Sequence, residues 1–265
     1  MLRSDYETIR CELRDPVLLV TFSRPEVHNA FNDKMISELL EVFRKVGQGD
    51  GVRVVVLTGE GKSFCAGADL NWMKRVMGFS FEENLKESLE LAELMHSVYS
   101  LQLPTIAMVN GAAIGGGMGF VATCDIVVAA SHAKFSLSEV KLGLVPACIS
   151  PYVIRKAGEA ACREFMLTGE RLTAEKAARI GLVNDVVEAS QLESTVSAYV
   201  DKLVSSGPNA IAICKQLLRE VPAMALEEAK RATAESLAHL RVSEEGQEGM
   251  KAFLEKRKPR WLPKK

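Results

Sequence analysis

The chain has 265 residues, 48% of them apolar and 25% charged, and its 33 Lys and Arg against 34 Asp and Glu leave a net charge of −1. That length predicts one substantial domain with an appendage at most, and that composition excludes disorder over most of the chain. The charge balance excludes an overall basic field that would gather nucleic acid or an anionic membrane surface.

Residues 1–10 hold neither an apolar leader core nor an Arg- and Ser-rich transit pattern, because Asp5 and Glu7 interrupt them. Residues 9–13 and 17–23 read as a hairpin around the Arg14-Asp15-Pro16 turn. Asn32 caps a predicted helix over 33–46, whose apolar Met35, Ile36, Leu39, Leu40, Phe43 and Val46 recur at helical spacing. Residues 52–57 form an apolar run broken only by Arg53, the mark of a strand buried on both faces. A long helix is predicted over 81–101, stopped by Pro104, and 105–109 and 126–130 are further buried strands. Strands alternating with helices predict an α/β fold with a largely parallel sheet.

Beyond Glu188 the strand signal disappears. Amphipathic stretches at 191–205, 208–220, 226–241 and 244–256 predict a helical C-terminal region. The expected division is an α/β core over 1–188 and a helical region over 189–265. No internal repeat is legible, and no apolar run approaches the roughly 18 residues of a membrane span. The six cysteines form no CxxC pair and, with four scattered histidines, fit no zinc spacing. A cytoplasmic protein with reduced thiols and no metal is expected.

Two segments carry chemistry. In Gly61-Lys62-Ser63-Phe64-Cys65-Ala66-Gly67-Ala68-Asp69-Leu70, small residues follow a buried strand and let backbone lie against a ligand, and Asp69 can cap a helix from Leu70. In Val109-Asn110-Gly111-Ala112-Ala113-Ile114-Gly115-Gly116-Gly117-Met118-Gly119, three glycines leave amides unshielded at a helix N-terminus, where negative charge is favoured. Two such turns in one domain fit a two-donor oxyanion hole. Gly117, Gly119 and Ala122 also match a permissive dinucleotide pattern, but the next strand leaves no room for a crossover helix.

Phe64-Cys65-Ala66-Gly67-Ala68-Asp69-Leu70, with Gly115-Gly116-Gly117 and Cys124-Asp125-Ile126, resembles the crotonase (enoyl-CoA hydratase/isomerase) superfamily. Arg24-Pro25-Glu26-Val27-His28-Asn29-Ala30 is similar to an early segment of that family. The stretch 135–146, around Ser138-Glu139-Val140-Lys141, is similar to its catalytic-glutamate segment. The resemblance covers nearly the whole chain. It implies stacked ββα units with a C-terminal helical trimerisation region, assembled as trimers or dimers of trimers. It implies an acyl-CoA substrate, no separate cofactor, and no nucleic-acid or membrane partner. By position, the amides of Ala68 and Gly116 hold the thioester oxygen and Glu139 is the acid/base carboxylate. Val27, His28, Ala66, Ala68, Asp69, Leu70, Asn71 and Gly116 line the CoA site.

The chain departs from the family at Gly119, where two-glutamate hydratases carry their other carboxylate. A side chain there is expected to point along its helix toward the acyl group. The run Asp69-Leu70-Asn71-Trp72-Met73-Lys74 and the stretch 144–152 resemble a bacterial subgroup acting on 3-methylglutaconyl-CoA and isohexenylglutaconyl-CoA. The resemblance thus implies a lyase adding water to a 2-enoyl-CoA, extending to a branched dicarboxylic one. The alternative is a single-glutamate Δ3-Δ2-enoyl-CoA isomerase. An RNA-binding reading has only the basic tail, residues 256–261, to support it; the aromatic-plus-basic stripe it needs is missing.

Overall fold

The computed structural model describes residues 5–49 and 51–262. In chain order these form β1 (Ile9–Arg14), β2 (Val17–Phe22), α1 (Asp33–Lys45), β3 (Val54–Gly59), β4 (Ser63–Cys65), α2 (Leu70–Val76), α3 (Phe81–Ser100), β5 (Thr105–Val109), β6 (Ala112–Ile114), α4 (Gly116–Thr123), β7 (Ile126–Ala130) and β8 (Lys134–Ser136). There follow α5 (Ser150–Ala157), α6 (Glu159–Thr168), β9 (Arg171–Thr173), α7 (Ala174–Arg179), β10 (Asp185–Val187), α8 (Leu192–Ser205), α9 (Pro208–Glu220), α10 (Leu226–Val242) and α11 (Glu244–Leu254).

The strands make two sheets. One runs β1-β2-β3-β5-β7-β10 and is parallel except for the β1–β2 hairpin. The other runs β4-β6-β8-β9. The pairs β3–β4, β5–β6 and β7–β8 each give one strand to each sheet before a helix, so the chain advances by repeated ββα turns. The repetition is structural, because the strands of the smaller sheet are three residues long and too short to show an alternating pattern.

The continuous apolar runs are explained by cover on both faces of the larger sheet. Along β3, Val55 and Leu57 face the main core, whereas Val54 and Val56 face a second cluster with Leu192 and Val196 of α8. Ala107 and Ile106 of β5, and Val127 and Val128 of β7, alternate in the same way. The β3 strand starts two residues later than its apolar run. Arg53 and Val54 both donate to the Pro16 carbonyl, and the β2 ladder begins at Val17 opposite Val54.

Helix α1 is capped as expected, the Asn32 side chain accepting from the Met35 N–H. It buries Met35, Ile36, Leu39, Leu40, Val42 and Phe43. Helices α5 to α7 and strands β8 to β10 lie where the sequence offered no clear period. Among the described residues every strand lies within 9–187, and 192–254 holds only helices and a short turn.

Candidate active site

Both glycine-rich turns arrive at one cavity, of about 660 Å³, between α2, α4 and the segment after β8. The first turn is held by a bridge between Phe31 and Ala68. The Phe31 N–H donates to Gly67 O at 2.8 Å, and the Asp69 N–H donates to Phe31 O at 2.9 Å. A bridge of this kind uses the amides either side of Ala68, so Ala68's own N–H faces away from Phe31. Ala68 lines the cavity.

The second turn continues the smaller sheet. Gly115 donates its N–H to Ser136 O at 2.8 Å, extending the β6–β8 pairing. Gly115 then adopts φ 55°, ψ −125°, open to glycine and strained for any other residue. This sharp bend starts α4 at Gly116, whose N–H, at the first helical position, has no intrahelical acceptor. Gly116 also lines the cavity, against the Phe31 ring.

Glu139 opens a single 3-10 turn, Glu139–Leu142, after β8. The strand pairing that places Ser136 beside Gly115 also brings the Glu139 carboxylate alongside. A Cβ on Gly115 would lie 3.2 Å from Glu139 Oε1. Oε2 is enclosed and has no hydrogen-bond partner among the described residues. Burial pushes the Glu139 pKa up, opposed by its own backbone N–H. A carboxylate that burial makes harder to ionise therefore stands next to the turn that ends at Gly116.

Of the residues singled out from the sequence, Ala66, Ala68, Leu70, Gly116 and Glu139 line this cavity together. Val27, His28, Asp69 and Asn71 do not line it. Asp69 instead accepts from the Asn71 and Trp72 N–H groups, capping α2, and pairs with Arg24 at 2.8 Å. His28 is exposed, its Nδ1 3.2 Å from Ser63 Oγ, and its carbonyl accepts from Ala66 N–H at 3.0 Å. Val27 closes a short turn, Pro25–Val27, leading into it.

At Gly119 a side chain would point toward the cavity wall but would meet Ile149 first. A Cβ there would overlap Ile149 Cγ2 and lie 3.1 Å from Met95 Sδ. The direction in which a second carboxylate would leave the helix is filled by an isoleucine that itself lines the cavity. Ile149, Leu142 and Val145 lie in stretches that resemble the family but were assigned no site role from the sequence, and Phe31 was not singled out; together they complete the apolar wall. Nothing periodic marks residues 142–149. Only the family resemblance of 135–146 and 144–152 marks them. Trp72 lines the cavity as well, its ring 5.6 Å from Phe31 and its Nε1 donating to Glu87 Oε2 at 3.0 Å. Among the described residues no lysine or arginine lines the cavity, and no His, Cys, Asp and Glu cluster of three or more could hold a metal ion.

The family model described as enoyl-CoA hydratase/isomerase matches residues 12–264. The short-chain-enoyl-CoA hydratase of Clostridium acetobutylicum is 35% identical over 93% of this chain and 94% of its own length. The 2,3-dehydroadipyl-CoA hydratase of Escherichia coli is 33% identical over 92% of this chain and 94% of its own. Among solved structures, an enoyl-CoA hydratase from Shewanella pealeana superposes with a TM-score of 0.95 at 41% identity, covering 98% of both chains. The match over nearly the whole chain shows that the chain belongs to the enoyl-CoA hydratase/isomerase family.

Proposed function

We propose that this enzyme adds water across the double bond of a 2-enoyl-CoA, with Glu139 as its one proton carrier. The observation that carries the reading is the convergence of Glu139, Ala68 and Gly116 on one cavity. In this mechanism the Glu139 carboxylate takes a proton from water as the water oxygen bonds to C3. The electron pair of the C2–C3 double bond moves onto the thioester oxygen. The Ala68 and Gly116 N–H groups hold that oxygen while it is charged; removing one such donor costs about 2.7–4 kcal/mol in other enzymes. Glu139 then returns the proton to C2, which balances the addition. Its raised pKa suits it to both halves of the transfer. The backbone of 66–71 and the turn at Val27 and His28 form the approach for the CoA moiety in this reading.

A branched dicarboxylic acyl group such as 3-methylglutaconyl is the substrate we put first. With Ile149 filling the direction of a side chain at 119, the acyl wall carries one negative charge and not two, which lowers the repulsion on a substrate carboxylate. Relatives include hydratases named for 2,3-dehydroadipyl-CoA and (E)-benzylidenesuccinyl-CoA, acyl groups with a second carboxylate. The same single carboxylate supports the second reading, a Δ3-Δ2 isomerase in which Glu139 moves a proton between C2 and C4. Product analysis with crotonyl-CoA, a 3-enoyl-CoA and 3-methylglutaconyl-CoA separates these. A 3-hydroxyacyl product from 3-methylglutaconyl-CoA in excess over the other two supports the first. Conversion of only the 3-enoyl-CoA overturns it in favour of isomerisation.

We propose further that the enzyme is a homo-oligomer, a trimer or a dimer of trimers. The exposed apolar side chains Leu218, Leu226, Val242, Phe253 and Leu254 of the helical region support this.

A further inference from the structure

The end of α4 away from the cavity is closed by buried ammonium groups. Lys156, in the last turn of α5, donates from Nζ to Val121 O at 3.3 Å and to Cys124 O at 2.5 Å. All eight residues of α4 are buried, and a helix end in such a place needs protein donors for its last carbonyls. Beside it, Lys215 of α9 donates to Asp125 Oδ2 at 2.5 Å and Leu103 O at 2.8 Å. Asp125 also accepts from the N–H and Oγ1 of Thr105, at 2.7 and 2.9 Å. Two ammonium groups against one carboxylate leave positive charge at the C-terminal end of the helix, where the dipole favours it. Burial lowers the Lys156 pKa, with Cys124 and Asp125 opposing the shift.

Packing holds α4 sideways, with Met118, Phe120 and Val121 in the main core and Gly117 and Gly119 close against Cys65 and Ile149, and polar groups act on it at its two ends. Its residues, Gly116 to Thr123, carry no charge, and Gly115 gives it no side-chain cap. The Gly115 N–H to Ser136 O bond holds one end, and Lys156 holds the other. The two ends of an eight-residue helix are about 12 Å apart, so a shift at one end is passed to the other.

We propose that Lys156 is a positioning residue for the oxyanion site: by binding Val121 O in the last turn of α4 and Cys124 O just past it, it helps set where the Gly116 N–H points. The inference rests on the assignment of Gly116 as a donor to the thioester oxygen. Oxyanion donors must lie within about 2.7–3.1 Å of the charged oxygen, and a misplacement of about 1 Å is costly.

The test uses acetoacetyl-CoA, whose enolate spreads its charge onto the thioester oxygen and is followed by its near-ultraviolet absorbance. Wild type, Lys156→Met, Lys156→Arg and Lys215→Met are compared for enolate affinity, for kcat and KM with an enoyl-CoA, and for Tm. Lys156→Met is expected to lose about tenfold in both enolate affinity and kcat, with KM changed by less than about threefold. Lys156→Arg, which keeps charge and donors, should recover wild-type values within about threefold. Lys215→Met should lower Tm and leave enolate affinity unchanged. If Lys156→Met does not fold, Lys156→Gln is measured in its place, with a loss in the same direction expected. Wild-type enolate affinity in the Lys156 variant overturns the proposal, as does an equal loss in Lys215→Met, which would mark general loosening of the core. Failure of the wild type to bind acetoacetyl-CoA would instead overturn the assignment of Gly116.

Discussion

Glu139 sits where a charged carboxylate is costly, and that cost has a measurable sign. Burial raises its pKa above the ordinary value of 4.5. Between that value and the folded one, the folded chain binds more protons than the unfolded chain. Stability is therefore fully present below the unfolded pKa and is lost as pH rises through the folded one. Glu139→Gln removes the group that causes this loss. The variant should melt above wild type near neutral pH and with it below about pH 4, while turnover falls about 10²–10⁴-fold. Thermal melts at the two pH values, with the thioester assay, check both halves. Gly119 makes a second prediction. Gly119→Glu forces a side chain into Ile149 and Met95, and overpacking of this kind costs about 1–3 kcal/mol. Adding Ile149→Ala should restore part of the lost Tm. Hydration of crotonyl-CoA, measured against 3-methylglutaconyl-CoA, should rise only in the double variant.

Among the elements, α2 and α4 are positioned by different devices. The start of α2 depends on Asp69, which caps two N–H groups and pairs with Arg24. Burial raises the Asp69 pKa, but the bonds from Arg24, Trp72 and Asn71 together hold it below the usual carboxylate value. The stability it contributes is present above the unfolded value of 3.8 and is lost as pH falls through the folded one. Asp69→Ala should destabilise the chain by about 3–5 kcal/mol, because Arg24 is left unpaired, whereas Asp69→Asn keeps the cap and should lose less. Denaturant unfolding of the two variants orders them. The first residue of α4, Gly116, lines the cavity against the Phe31 ring, and its N–H is the donor proposed above. In a Phe31→Ala background, which makes room, Gly116→Pro removes the N–H at a position where proline fits a helix. Turnover should fall about 10²–10³-fold relative to Phe31→Ala alone, and unchanged turnover would place the second donor elsewhere.

For the whole molecule, the helical region is tied to the core in one half and apolar in the other. Leu192 and Val196 of α8 cover the larger sheet, and Lys215 of α9 reaches Asp125. Helices α10 and α11 instead leave Leu226, Val242, Phe253 and Leu254 exposed. Light scattering at micromolar concentration should give an assembly of three or six chains, and a monomer would remove that proposal. Replacing Phe253 and Leu254 together by Ser should shift the mass downward while leaving β1 to β8 folded, read by hydrogen exchange.

Local chemistry in the sequence was enough for the helix over 33–46 with its Asn32 cap, for the strands at 105–109 and 126–130, and for the four C-terminal helices. In each, one period or one capping side chain acts within a few residues. It was enough, too, for the two glycine turns, because a backbone that must bend sharply leaves small residues in order along the chain, whereas Glu139 was named only through the family resemblance. Tertiary structure alone decided the rest. The three-residue strands of the smaller sheet have no period to read and exist because neighbouring strands pair with them. The pairing of Asp69 with Arg24 was hidden, although its cap on α2 was legible, because an N-cap facing inward reaches a cation that only the fold brings beside it. That Ile149, thirty residues further along, stands between position 119 and the cavity was decided by packing, since only packing brings that side chain against α4. The role of Lys156 was hidden for the same reason: its partners are carbonyls, which every sequence contains and only a folded helix end presents together.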